Sequence, residues 1–356
     1  MGIDTKTKNS GVDNYGRTID YLRIAITDRC NYRCVYCMPA SGVPDKQHNR
    51  ILSFEQIERI VRVASEFGIK HLRLTGGEPL VRKGCTELAG MLSAIPGIED
   101  IAITTNGALL RRDAKALIEN GVSRVNVSLD TLDPEIFHTI TRIGSLDDVL
   151  DGINAALEAG FKTVKINTVA VRALHQDFFS LARLSVEKPL HVRFIEYMPI
   201  GDDDTRSKGI PEESNPFFKD VSTWSASDTI PSDELRELIS REAINHGCGP
   251  LLPASSSRPD GYGPADYWKF ENSKGTVGFI SAMSNHFCSQ CNRLRLTSDG
   301  CLRPCLFSDQ EIPLRQALED NDDEAIRAAF RQALRQKPDA HHTNDGTQRF
   351  MSQIGG

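Results

Sequence analysis

Apolar residues recur along the chain in two alternating patterns, short continuous runs and longer stripes at helical spacing. Tyr21 to Thr27 (YLRIAIT) reads as a buried strand, and Ser53 to Phe67 places Ile57, Ile60, Val61 and Ala64 on one helical face. Ser53 with Gln56 three residues on predicts a capping-box start, and Gly68 predicts a stop. The unit recurs five more times. His71 to Thr75 precedes Cys85 to Ala94; Asp100 to Thr104 precedes Arg112 to Asn120; Arg124 to Leu129 precedes Asp147 to Ala159. Lys162 to Val171 precedes Asp177 to Ser185, and His191 to Glu196 precedes Ser232 to Asn245.

Six strand and helix alternations predict an α/β fold built on a parallel sheet with right-handed crossovers. Chemistry-bearing residues follow several different strands: cysteines after the first, Gly76-Gly77-Glu78-Pro79 after the second, Thr105-Asn106-Gly107 after the third, Asp130 after the fourth. A barrel gathers such positions around one mouth, whereas an open sheet spreads them along an edge. The pattern therefore favours a partial (β/α)6 TIM-like barrel over residues 21–247, behind a polar leader at 1–20. Gly201 to Pro231 is polar and rich in breakers, a long surface loop that delays the sixth helix. Residues 248–356 change character, with a Pro, Ser and Gly segment, short strand-like pieces near Tyr267 to Phe270, Thr276 to Ile280 and Leu294 to Thr297, and helices near Ile312 to Leu318 and Glu324 to Gln336. They predict a smaller C-terminal region.

Composition narrows the class. The chain has 356 residues, 42 Lys+Arg against 48 Asp+Glu, and a formal net charge of −6, which argues against a coat for nucleic acid or an anionic membrane. No stretch of about 18 apolar residues occurs and Met1 to Gly11 is polar, so the expected location is cytoplasmic. Nine cysteines in a reducing compartment are poor evidence for disulfides. Their grouping says more: Cys30, Cys34 and Cys37 lie together, as do Cys288, Cys291, Cys301 and Cys305, with Cys85 and Cys248 apart.

Cys30-x3-Cys34-x2-Cys37 puts three thiolates on one loop, as iron–sulfur or soft-metal ligation requires; structural zinc and unligated core thiols are the alternatives. No fourth Cys or His stands nearby except His48, so one coordination position stays open. The spacing, with aromatic Tyr36 before the last cysteine and Thr75-Gly76-Gly77-Glu78-Pro79 after the next strand, resembles the radical S-adenosylmethionine superfamily. That resemblance implies a [4Fe-4S] cluster whose open iron binds S-adenosylmethionine and reductively cleaves it to a deoxyadenosyl radical. Cys288-x2-Cys291-x13-Cys305 reads by itself as a zinc ribbon completed by Cys301 or His286. In context, with Asn292-Arg293-Leu294-Arg295 following, it resembles the GTP 3′,8-cyclase family of molybdenum cofactor biosynthesis, which carries a second three-cysteine cluster.

The family resemblance extends from Leu22-Arg23 through Cys37-Met38-Pro39, Thr104 to Gly107, Asn126 to Asp130, Lys165 to Asn167 and Arg193 to Met198, to the terminal Gly355-Gly356. It implies the following roles. Cys30, Cys34 and Cys37 hold the cluster that binds S-adenosylmethionine, with Tyr36, Gly77, Ser128 and Met198 around that cofactor. Cys288, Cys291 and Cys305 hold the second [4Fe-4S] cluster, facing the guanine of GTP, with Cys301 a spare. Arg23, Arg73, Thr104, Lys165, Arg193, Arg293, Leu294 and Arg295 bind GTP, and Gly355 and Gly356 enter the site with a catalytic role. The implied activity is cyclisation of GTP to (8S)-3′,8-cyclo-7,8-dihydroguanosine 5′-triphosphate, with an electron donor and a downstream cyclic pyranopterin monophosphate synthase as partners, in a monomer or homodimer. The competing expectations are a radical enzyme with an auxiliary cluster acting on a peptide, and a non-enzymatic zinc or iron–sulfur protein. Gly201 to Pro231 and Val171 to Phe178 depart from the family pattern.

Overall fold

The computed structural model describes residues 10–43, 50–200, 228–254, 259–341 and 347–355. Gly356, His48 and most of the expected 201–231 loop lie outside the described residues. Six strands alternate with helices as the apolar pattern requires: β1 (Tyr21–Ala25), α1 (Phe54–Ser65), β2 (His71–Thr75), α2 (Cys85–Ser93), β3 (Asp100–Thr105), α3 (Leu110–Glu119) and β4 (Val122–Ser128). Then come α4 (Pro134–Thr141), α5 (Leu146–Ala159), β5 (Thr163–Ala170), α6 (Phe178–Glu187), β6 (Leu190–Glu196) and α7 (Ser232–Asn245). Neighbours from β1 to β6 pair in parallel and in sequence order. This is the partial barrel expected from six alternating units.

Local chemistry sets the helix ends. Ser53 and Gln56 close a capping box at α1, whose Ile57, Ile60, Val61 and Ala64 are buried. Asp133 caps α4 with Pro134 at its first position, a short helix that the apolar pattern does not reveal. Gly160 ends α5 with φ 86°, the left-handed conformation that favours glycine.

The C-terminal residues add to the same sheet rather than packing beside it. β9 (Thr276–Ile280) pairs in parallel with β6, and β10 (Arg293–Leu296) pairs in parallel with β1. β7 (Leu252–Pro253) and β8 (Asp266–Lys269) extend one side, β11 (Cys301–Arg303) and β12 (Ile312–Pro313) the other, giving twelve strands in the order β12-β11-β10-β1-β2-β3-β4-β5-β6-β9-β8-β7. The physical reason is that a six-stranded partial barrel leaves the backbones of β1 and β6 unpaired, and the C-terminal strands cover both edges. Because Ile312–Pro313 is claimed by β11, the helix expected from Ile312 begins later, as α8 (Arg315–Glu319). α9 (Asp323–Gln336), capped by Asp322, and α10 (Met351–Ile354) complete the chain.

The leader is joined to the fold over its described part. Ile19 is buried, and buried Arg17 pairs with Asp13 at 2.6 Å while donating to the carbonyls of Cys288, Pro338 and Asp339. Among the described residues no helix is long and apolar enough to cross a membrane.

Candidate active site between the two cysteine groups

The loops after β1, β2 and β3 meet at one end of the barrel. Gly76 and Gly77 run against the β1 loop so closely that a Cβ on Gly77 would lie 2.2 Å from the Arg29 carbonyl oxygen, so only glycine fits there. The next residue, Glu78, is buried, and its carboxylate accepts from the backbone N–H groups of Leu80 and Asn106 and from Thr105 Oγ1. Burial nevertheless pushes it up to about 7.

A cavity of about 300 Å³ occupies this end and the barrel interior, and all six predicted ligand cysteines line it: Cys30, Cys34 and Cys37 on one side, Cys288, Cys291 and Cys305 on the other. All nine cysteines are free thiols. Cys301 does not line the cavity. Among the described residues no three Cys, His, Asp or Glu converge as ligands of one ion. A four-iron cubane makes a different demand, because each thiolate binds its own iron and the sulfurs stand apart.

The two cysteine groups sit in different electrostatic settings. Burial pushes Cys30 up to about 11 and Cys37 to about 12, with the neighbouring thiols and the acids Glu78 and Asp130 adding to the effect. Cys34 rises for the same reasons. The donors are neutral: Tyr32 N–H reaches Cys30 Sγ at 3.3 Å, and the Ser352 backbone N–H reaches Cys37. In the second group, burial raises Cys291, but the adjacent cations Lys337 and Arg293 overcome it and its thiol ends below the ordinary value. Lys337 Nζ lies 3.5 Å from Cys291 Sγ. The donor sets suit two cubanes, each with three thiolates and an open iron.

Tyr36, Gly77, Ser128 and Met198 all line the cavity, and Met198 packs in the apolar cluster that includes Cys305 and Met351. Tyr36 Oη donates to Asp130 Oδ2 at 2.6 Å, while Val169 N–H donates to Asp130 Oδ1. Burial lifts Asp130 to about 6. Gln176, in the turn that departs from the family pattern, donates to the carbonyls of Asp130 and Val169 and accepts from Val171 N–H, so that turn locks the Asp130 loop.

Between the two groups runs a row of cations. Strand register sets Arg295 beside Arg23 and Arg23 beside Arg73. Burial lowers all three: Arg23 drops well below its ordinary value, with Arg295 and Arg73 as repelling neighbours, and Arg73 and Arg295 each fall to about 10. Arg193 is buried, and its guanidinium donates to Asn126 Oδ1 at 2.6 Å and to Asn167 Oδ1 at 2.5 Å, amides that orient it without cancelling its charge. Arg73, Arg193, Arg293 and Arg295 form no ion pair among the described residues. Thr104 Oγ1 and Arg73 Nε are buried without a hydrogen-bond partner there. An interior of like charges and unsatisfied donors is costly unless an anion fills it.

Two expected GTP contacts are placed differently. Leu294 is buried in the apolar core and does not line the cavity, because alternation along β10 aims Arg293 and Arg295 inward and Leu294 outward. Only its backbone is available to a ligand. Lys165 is also absent from the wall; its ammonium donates to the Asp260 carbonyl at 2.5 Å, in a loop that brings Tyr262 onto the cavity. Tyr262 stacks on His71 with ring centroids 3.4 Å apart. Burial, reinforced by Arg193, Arg124 and Arg73, lowers Lys165 to about 6. Gly355 adopts φ 74° and its carbonyl accepts from Arg295 Nη1 at 2.5 Å, which anchors the tail at the cation row. Asn126, Asn167, Asp130 and Lys337 were not assigned roles from sequence; the first three follow strand positions already singled out, whereas Lys337 carries no local signal.

Comparison with known proteins agrees with this geometry. Residues 24–182 match the Radical SAM superfamily and residues 218–343 match Molybdenum Cofactor Synthesis C. The chain is 49% identical to GTP 3′,8-cyclase of Pelotomaculum thermopropionicum, over 97% of this chain and 99% of that one, and 44% identical to GTP 3′,8-cyclase of Heliobacterium modesticaldum, over 97% and 100%. In solved structures, Streptococcus suis SuiB bound to S-adenosylmethionine shares the fold at TM-score 0.55 and 15% identity, covering 88% of this chain and 67% of that chain. An anSMEcpe structure with bound AdoMet shares it at TM-score 0.53 and 16% identity, covering 87% and 80%. With two cysteine groups facing one cavity and near-full-length similarity on both sides of it, the chain belongs to the GTP 3′,8-cyclase family of radical S-adenosylmethionine enzymes.

Proposed function

We propose that the chain converts GTP to (8S)-3′,8-cyclo-7,8-dihydroguanosine 5′-triphosphate in the first step of molybdenum cofactor biosynthesis. The observation that carries the substrate is the inward row of Arg295, Arg23 and Arg73, joined by Arg193 and Arg293. A triphosphate supplies the several negative charges that such a row lacks, and guanidinium forks match phosphate oxygens. A peptide substrate gives no reason to bury so many cations.

Cys30, Cys34 and Cys37 would hold one [4Fe-4S] cluster and Cys288, Cys291 and Cys305 a second. When bound, the first cluster and S-adenosylmethionine supply hydrogen-atom abstraction from a carbon that no acid–base group can activate. The chain's own residues do the rest. Tyr36, fixed by Asp130, lines the cavity together with Ser128 and Met198 for the adenosyl end of that cofactor, and the tight Gly76-Gly77 turn lets backbone approach its amino acid end. The cation row holds the triphosphate, which leaves the base to reach toward Cys288, Cys291 and Cys305. Arg295 joins two tasks, facing the substrate and holding the Gly355 carbonyl, so the tail closes on the same cation that binds the anion. Thr104 Oγ1 offers a donor and acceptor to the ribose or base.

The finer context follows from the same reading. An external donor supplies electrons, a cyclic pyranopterin monophosphate synthase consumes the product, and a reducing cytoplasm suits oxygen-sensitive clusters. The direct test is anaerobic incubation of the reconstituted chain with GTP, S-adenosylmethionine and dithionite, followed by mass spectrometry. A cyclised isomer of GTP is expected. Its absence with fully iron-loaded protein rejects the substrate.

A further inference from the structure

Lys337 follows the last turn of α9, where the chain leaves the helix toward Pro338. Its side chain turns inward and the residue is 3% exposed. The ammonium donates to the Arg293 carbonyl at 2.8 Å and to the Pro304 carbonyl at 2.9 Å, with Cys291 Sγ at 3.5 Å. Both carbonyls belong to the segments that carry the second cysteine group: Arg293 lies two residues after Cys291, and Pro304 immediately precedes Cys305. Lys337 thus stands where β10 and β11 bring the two halves of that group together.

The choice of a lysine there needs a reason. β10 and β11 are already joined by antiparallel pairing, and a neutral donor would satisfy either carbonyl. A buried ammonium is expensive unless negative charge compensates it. Among the described residues no carboxylate is one of its hydrogen-bond partners, and the partner that becomes anionic on metal ligation is the Cys291 sulfur. In the first cysteine group, among the described residues, the donors that reach a sulfur are neutral, the backbone N–H of Tyr32 and the amide of Asn106 on Cys30, while Arg33 and Arg142 act on Cys30 and Cys34 without a hydrogen bond to either sulfur.

We infer that Lys337 is a positioning residue for the second cluster, held by the Arg293 and Pro304 carbonyls so that its fixed positive charge beside Cys291 raises that cluster's reduction potential. Reduction adds one negative charge to the cluster, and a cation held against a ligating sulfur stabilises the reduced form more than the oxidised one. The inference rests on the two-cluster reading above and deepens it by naming what separates the two sites electronically.

The experiment is an EPR-monitored redox titration of the full chain after anaerobic reconstitution, comparing wild type, Lys337→Met and Lys337→Arg at matched iron content. Lys337→Met should shift the second cluster to a more negative midpoint by at least a tenfold change in its reduction equilibrium, about 59 mV for one electron. The first cluster should stay where it is, and Lys337→Arg should restore the second. An unchanged midpoint in iron-replete Lys337→Met overturns the inference. If that variant loses the second cluster, Lys337→Gln, which keeps a donor without charge, carries the comparison. Loss in both neutral variants with retention in Lys337→Arg would reduce Lys337 to a structural clamp and also overturn the inference. Wild-type protein that takes up only about four irons per chain, one cubane's worth, would instead overturn the two-cluster reading beneath it.

Discussion

The two cysteine groups present the same donors to one cavity, yet one stands among charges of both signs and the other among cations. Around Cys30, Cys34 and Cys37 the acids Glu78 and Asp130 stand together with Arg33 and Arg142, whereas the charged side chains set against Cys288 and Cys291 are the cations Arg17, Arg293 and Lys337. S-adenosylmethionine carries a sulfonium, an ammonium and a carboxylate, and GTP carries a triphosphate. Under the proposed reading a mixed setting suits the first and a cationic setting the second, so the surroundings of a cluster, more than its ligands, would divide the labour. Spacing of cysteines alone could not show this.

The division is most sharply tested by removing one ligand at a time. Cys37→Ala should drop the iron content from about eight to about four per chain and abolish cleavage of S-adenosylmethionine. Cys305→Ala should lose a similar share of iron, keep the cleavage and yield no cyclised product. Identical behaviour of the two variants in iron, cleavage and product assays would erase the distinction.

A smaller effect is expected from the cation row. Arg295→Ala removes a buried charge and the hydrogen bond to Gly355, and at about 1.5–3 kcal/mol for a charge-assisted bond the GTP dissociation constant should rise roughly 10- to 160-fold. Iron content should not change, and S-adenosylmethionine should bind as before. Calorimetry with both ligands decides it; a loss confined to S-adenosylmethionine would assign Arg295 to the wrong half of the cavity.

The smallest effect concerns Lys165. With its pKa lowered to about 6, the side chain is mostly neutral at pH 7 in the unliganded protein. A nearby triphosphate favours the charged form and raises that value, so GTP binding at pH 7 should take up a fraction of a proton and weaken as pH rises. Calorimetry in buffers of different ionisation enthalpy measures this directly. Lys165→Met should abolish the uptake, and equal uptake in that variant would mean that another group titrates.

The elements of the barrel were legible because each strand is a short apolar run and each helix a stripe with its own cap, as with Ser53 and Gln56 at α1. The cysteine triplets and the inward arginines could be named from motif and resemblance. What could not be read was anything fixed by pairing across the chain. The capture of both barrel edges by β9 and β10 depends on hydrogen bonds that leave no periodic trace. Leu294 shows the limit at one residue: the motif groups it with Arg293 and Arg295, but strand alternation turns it to the core. Lys337 shows another, since its contacts with Arg293, Pro304 and Cys291 join positions far apart in sequence.

The parallel register of Tyr21 with Arg293 sets a schedule for synthesis. β1 pairs on one side with β2, which is made soon after it, but its other side waits for β10, which leaves the ribosome far later. Through that interval the barrel presents an unpaired strand edge, the surface that invites misassociation between nascent chains. Contacts of such wide separation also make for slow folding. A chain truncated before β10 would leave that edge open for good, and its fate would be aggregation before any question of iron arises.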